Sequence, residues 1–233
     1  MKTTTQENFL EGQAMARRSF LRFAGASAVM AGVLTTTACS KLDEDIDTSS
    51  TQYYNLGTGD IAVLNYAYAL EQLEAAFYTQ VVATPYAGIS SEELGLLTEV
   101  RDHEVIHREF FKKALATNAI PALVPNFASI NFSNRAAVLG AAKTFEDLGV
   151  AAYNGAGYLI QDVNYLTLAG KIVSVEARHA ALIRNLLGLN FADSTVVDLS
   201  NGLEKSMTPA QVLPLANSFI ATGYTLSATG LGS

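Results

Sequence analysis

A chain of 233 residues with 49% hydrophobic and 16% charged content has enough apolar side chains to bury a single ordinary core. The formal charge of −7, with no basic cluster beyond residue 22, excludes a nucleic-acid-binding surface. One cysteine rules out an internal disulfide framework.

In chain order, the first 38 residues read as an address and not as part of the fold. Ala16-Arg17-Arg18-Ser19-Phe20-Leu21-Arg22 resembles the twin-arginine export motif, and the apolar run from Phe23 to Leu34 is too short to span a bilayer but suits a signal peptide. The lone cysteine, Cys39, follows Thr36-Thr37-Ala38 as a lipoprotein processing site would have it, although such sites prefer Leu where Thr36 stands; ordinary cleavage nearby would leave a free thiol instead. Lipid on Cys39 would anchor the chain to a membrane without crossing it. Residues 39–58, rich in Asp, Ser and Thr, predict a solvated acidic tether. The expected location is periplasmic, or on an outer membrane or cell surface as a lipoprotein.

From Asp60 the apolar spacing is helical. Helix A covers about Asp60–Ala83, with Asp60 as its N-cap, and Thr84-Pro85-Tyr86-Ala87-Gly88 ends it. Ser90 caps helix B, with Glu93 completing a capping box, and helix B reaches about Asn118. Residues 119–133, with Pro121 and Pro125, form a connection long enough to run the length of a bundle. Helix C covers about Asn134–Ile160, weakened near Gly155 and Gly157; a turn at Gln161–Asn164 leads to helix D, which ends at Leu187-Gly188. The five prolines all fall outside these four helices. Residues 190–233 form a C-terminal extension with one short helix, Thr208 to Ile220, interrupted or bent at Pro214. The class is all-α: an antiparallel four-helix bundle over 59–189 with a long crossover between helices B and C.

Two of the three histidines follow a glutamate by three residues, in Glu104-Val-Ile-His107 and Glu176-Ala-Arg-His179. Residues three apart share a helix face, and in both segments that face is apolar: Leu97, Val100 and Phe111 in helix B, Ile172, Leu182 and Ile183 in helix D. Residues equally far from the turn of a helical hairpin lie at one height. Glu71 and Glu104 are equidistant from the Pro85–Gly88 break, and Glu146 and Glu176 from the second turn. Each hairpin also carries a Tyr seven residues after its first Glu, Tyr78 after Glu71 and Tyr153 after Glu146. Two such hairpins would gather four carboxylates and two imidazoles at mid-bundle, and uncompensated burial of that cluster is costly. Internal Glu–His hydrogen bonds are the plainer explanation; two divalent ions, Fe or Mn by donor chemistry, explain six convergent groups better.

The chain from about 60 to 188 resembles the ferritin-like superfamily, and within it the exported ferritin-like proteins akin to plant desiccation-related proteins. The residues that carry this are Leu64-Asn65, Glu71, Leu73-Glu74-Ala75-Ala76-Phe77-Tyr78, Glu104-Val-Ile-His107, Phe145-Glu146-Asp147-Leu148-Gly149-Val150 and Glu176-Ala-Arg-His179-Ala180. The resemblance implies Glu71, Glu104, His107, Glu146, Glu176 and His179 as ligands of two Fe or Mn ions, with Glu104 and Glu176 bridging and Glu71 and Glu146 terminal. Glu74, about 60° round the helix from Glu71, is a lesser candidate. Tyr78 and Tyr153 either hydrogen-bond the carboxylates or are core aromatics. His103 points away from Glu104 and is expected to be a structural or surface residue; Asp147 and Asp162 are expected to face solvent or cap. The function that follows is a non-haem dimetal oxidoreductase that oxidises Fe(II) or reacts with oxygen or peroxide. The alternative is a lipid-anchored stress or envelope protein in which the bundle is a scaffold. A tether and an extension suit a storage cage poorly; association, if any, is as a homodimer.

Overall fold

The computed structural model describes residues 51–231. The export signal, Cys39 and the tether up to residue 50 lie outside the described residues. Four long helices dominate: α1 Gly59–Ala83, α2 Ser91–Leu115, α3 Arg135–Ala156 and α4 Val163–Leu186, with a shorter α5 at Pro209–Asn217. α1 packs along α2 and α3 along α4, and the two hairpins meet mainly through α1 and α3. The fold is the expected all-α bundle. None of its helices among the described residues is long and apolar enough to cross a membrane.

Helix ends follow local chemistry, with two departures. Ser90 accepts from Glu93 N at 3.0 Å and Asn134 from Ala137 N at 2.9 Å, satisfying first-turn amides that have no partner inside the helix. Glu93 does not reach back to complete a capping box; its carboxylate takes Arg135 in a bidentate pair and the Tyr86 hydroxyl, which locks the α1–α2 turn to the start of α3. Nor does Asp60 cap its own helix, which begins after Thr58. Its two carboxylate oxygens accept from Gln161 N and Asp162 N at 2.8 and 2.9 Å, fastening the turn between α3 and α4. Asp162 caps α4 through Asn164 N, as anticipated. α2 gives way to a 3-10 turn at Ala116–Asn118, and α3 to another at Gly157–Leu159, where the glycines weaken the helix.

α1 is buried nearly all round, which is the expected state of a helix with apolar residues on every face. Its polar side chains therefore need partners. Asn65 bonds Leu56 O, Asn118 O and Ile120 N, and Gln72 accepts from Leu123 N, so α1 staples down the crossover. That crossover and the C-terminal extension supply Phe127, Phe132 and Phe219 to an aromatic cluster around Phe77 and Phe145, with ring centroids 4.7–6.3 Å apart.

The extension is bound to the bundle in three places. α5 buries Val212, Leu213 and Ala216, packing on α3 and α1. Gly155 lets the chain at Met207 pass so close that any Cβ there would collide with Met207 O at 1.8 Å. Arg184, only 1% exposed, holds Asp147 by two hydrogen bonds of 2.8 Å and also reaches Asn190 O, Asp193 and Thr195. Asp147 is thus neither a cap nor simply solvated; its partner on α4 was not visible from spacing. Three-residue strands β1 (Gln52–Tyr54) and β4 (Tyr224–Leu226) pair in parallel, and β2 (Val197–Asp198) pairs with β3 (Leu203–Glu204). The stretch expected to be tether therefore joins the fold from Gln52, with Tyr54 and Leu56 buried.

Candidate metal centre

Each of the four long helices sends one carboxylate to mid-bundle: Glu71, Glu104, Glu146 and Glu176, all fully buried. α2 and α4 add His107 and His179. The six form two overlapping quartets, Glu71–Glu104–His107–Glu176 and Glu104–Glu146–Glu176–His179, and within each the potential ligand atoms lie within 4.8 Å of one another. Nδ1 of His107 is 2.9 Å from Glu176 Oε1 and 3.4 Å from Glu71 Oε2; Nδ1 of His179 is 2.7 Å from Glu104 Oε1. The two hairpins thus do bring the predicted residues together, with both imidazoles facing inward by Nδ1.

Of ten buried side-chain polar atoms among the described residues that lack a partner in hydrogen-bond geometry, eight belong to these six residues. They are both oxygens of Glu104, both of Glu176, one each of Glu71 and Glu146, and Nδ1 of each histidine. The other oxygens of Glu146 and Glu71 are taken: Tyr78 donates to Glu146 Oε1 at 2.5 Å, and Tyr153 donates to Glu71 Oε1. Folded proteins rarely leave buried polar atoms unpaired, and here eight converge. The distribution itself separates roles. Glu104 and Glu176, with two free oxygens, can serve two cations; Glu71 and Glu146, with one, can serve a single cation. That makes four ligand atoms for each of two ions, so the side chains fit a pair of divalent metals, and four carboxylates offset the charge of two dications.

The tyrosines are crossed between hairpins. Seven residues carry Tyr78 about 10 Å along the axis from Glu71, too far to reach it, and it bonds Glu146 of the other hairpin; Tyr153 reciprocates on Glu71. Burial first, then the carboxylate charge, pushes both phenols well above their usual range, so both remain proton donors.

Electrostatics without cations are strained. Burial, aggravated by neighbouring carboxylates, raises Glu104 and Glu176 to about 8 and also pushes Glu146 well above the usual carboxylate range. Burial would lower His107, but Glu104, Glu176 and Glu71 together drive it up to about 12. His179 moves down, chiefly by burial.

Glu74 belongs to neither quartet. It is buried beside them, with Oε1 2.9 Å from where a Cβ on Gly149 would stand, and burial plus the charge of Glu176 raise it well above the carboxylate range. Position 149 is the counterpart of 74 when Glu71 is matched to Glu146, so a missing side chain on α3 makes room for the extra one on α1. His103 is exposed, as expected of a surface residue, yet its Nδ1 lies 3.0 Å from Nε2 of His179. Its sequence position gave no hint of this, because the contact is made across to α4.

Residues 59–189 match a family described as the ferritin-like domain. The chain belongs to the ferritin-like family. The match covers the four helices and the six converging side chains of this ferritin-like protein. No curated protein matches the chain.

Proposed function

We propose that this ferritin-like protein is an exported non-haem dimetal oxidoreductase. In this reading it holds two Fe or Mn ions through Glu71, Glu104, His107, Glu146, Glu176 and His179, reacts with oxygen or peroxide, and takes Fe(II) as its simplest substrate. The observation that carries the reading is the set of eight unpaired ligand atoms, divided four and four between two quartets that share Glu104 and Glu176. A mixed carboxylate–imidazole donor set without thiolate suits Fe or Mn. Such a metal pair supplies redox equivalents to a bound oxidant.

The protein's own part is to place and protect. Tyr78 and Tyr153 fix Glu146 and Glu71 by one oxygen, which aims the other inward. Glu104 and Glu176 have no such tie to a tyrosine, so their carboxylates would be free to shift in response to a bound pair of cations. Leu70, Leu73, Phe77, Val100 and Phe111 are buried in the same core and keep bulk water out.

The test is Fe(II) oxidation in air, followed as Fe(III) absorbance. The wild-type chain is expected to run at least about tenfold faster than buffer, and Glu104→Ala to fall to the buffer rate. Equal rates for wild type and buffer, with a redox-silent metal recovered from the native compartment, would instead favour the scaffold role.

Export and anchoring at Cys39 complete the proposal, supported by the order of paired arginines, apolar run and cysteine. Membrane fractionation checks the anchor: the wild type is expected with the membranes and Cys39→Ser in the soluble fraction, and identical partitioning would contradict lipidation.

A further inference from the structure

The centre has two halves, and they differ outside the six converging side chains. Matching Glu104 to Glu176 places His103 on α2 against Val175 on α4. His103 offers a nitrogen to His179; Val175 has nothing to offer His107, and among the described residues no hydrogen bond to the His107 ring is present beyond its contacts with the carboxylates.

The geometry of the His103–His179 contact is specific. The ring planes are within 22° of parallel, with centroids 5.2 Å apart and Nδ1 to Nε2 at 3.0 Å. That centroid separation is the nitrogen–nitrogen distance plus about 1 Å of ring at each end, so the rings meet edge to edge, as an N–H···N hydrogen bond requires. An imidazole that presents Nδ1 to a cation carries its proton on Nε2. His179 is then the donor and Nδ1 of His103 the acceptor, which leaves the His103 proton on its own Nε2. Without His103 the buried ring of His179 would have no hydrogen-bond partner on its outer edge and nothing to select that tautomer. The exposure of the two inner rings follows the same division, 6% for the side chain of His179 and 12% for that of His107.

We propose that His103 is a positioning residue: it holds His179 with Nδ1 turned to the centre, and so makes the quartet of Glu104, Glu146, Glu176 and His179 the tighter of two unequal cation sites. This rests on the dimetal reading above and adds to it an order of occupancy, His179 side first, His107 side second and more readily exchanged. Partners that orient a metal-bound histidine typically contribute 10- to 100-fold in affinity.

The probe is Co(II), titrated into the full chain and followed by visible absorbance and equilibrium dialysis. The wild type is expected to fill two sites in separate steps. His103→Leu should weaken the tighter step by about 10- to 100-fold, change its absorption bands, and leave the weaker step within about twofold. His103→Gln, whose side-chain oxygen can accept from His179 Nε2, should recover the tighter step to within about threefold. Because His103 is exposed, helicity and thermal midpoint of the metal-free variants should match the wild type, which separates positioning from folding. Two indistinguishable wild-type steps, an unchanged His103→Leu titration, or a Gln variant no better than Leu overturns the inference while the dimetal reading stands. A wild-type chain that takes up no Co(II) overturns both.

Discussion

Glu104→Ala is expected to abolish uptake of both cations of the proposed pair, whereas Glu146→Ala and Glu71→Ala are each expected to abolish uptake of one. Glu104 is common to both quartets, and neither of its oxygens is held by a hydrogen bond from outside the six residues. Its loss takes one ligand atom from each half and takes the shared carboxylate that compensates the repulsion between two dications. Glu71 and Glu146 serve one half each, and their other oxygens are already held by Tyr153 and Tyr78. Metal per chain, measured after loading with Mn(II) and desalting, is expected to fall from two to near none in Glu104→Ala and to about one in the terminal variants. Equal loss in all three variants would contradict the division into shared and single ligands. The change should not unfold the chain: without metal it removes a buried carboxyl that burial and the neighbouring carboxylates disfavour, and it leaves both tyrosine–carboxylate hydrogen bonds in place.

The second large effect is on stability against pH, and bound metal should offset it. Glu104 and Glu176 ionise near 4.3 in an unfolded chain but at about 8 in the metal-free fold, held up by burial. Between these values the folded state binds more protons than the unfolded one, so stability is full below the unfolded value and is lost as pH rises through the folded value. His107, raised from 6.5 to about 12, acts in the same direction. Each proton so retained costs about 1.4 kcal/mol per pH unit, so two carboxyls and His107 together should cost the metal-free chain on the order of 10 kcal/mol between pH 5 and 8. Cations displace those protons, so Mn(II) affinity rises with pH and the loaded protein should be more stable at pH 8 than the metal-free one by a comparable amount. Denaturant unfolding at pH 5, 6.5 and 8, with and without Mn(II), measures both. Metal-free stability that climbs steadily from pH 5 to 8 would refute the buried carboxylate cluster.

Local chemistry explains what could be read from the amino acids. Hydrophobic period, the proline positions and caps such as Ser90 and Asn134 depend on near neighbours, and they placed all four helices to within a few residues. Hairpin register and the tyrosine seven residues on favour Glu71 over Glu74, and the structure brings Glu71 and not Glu74 into the quartets, although that tyrosine bonds Glu146. What was not legible depends on contacts between hairpins. Tyr78, seven residues after Glu71 on α1, serves Glu146 of the other hairpin. His103, turned about 100° from Glu104 on its helix, meets His179 on α4, which no spacing within α2 encodes. Arg184 and Asp147 stand on different helices, and their other partners, Asn190 to Thr195, lie in irregular chain. Strands of two or three residues, such as β1 and β4, are too short to show a period, so the chain from Gln52 read as tether although it pairs with Tyr224–Leu226.

Anomalous diffraction from crystals of the full chain grown with Mn(II) tests the central claim most directly. Two peaks are expected at mid-bundle, one within bonding distance of Glu71, Glu104, His107 and Glu176, the other of Glu104, Glu146, Glu176 and His179. A single peak, peaks at surface carboxylates only, or imidazoles turned away from the manganese would contradict it.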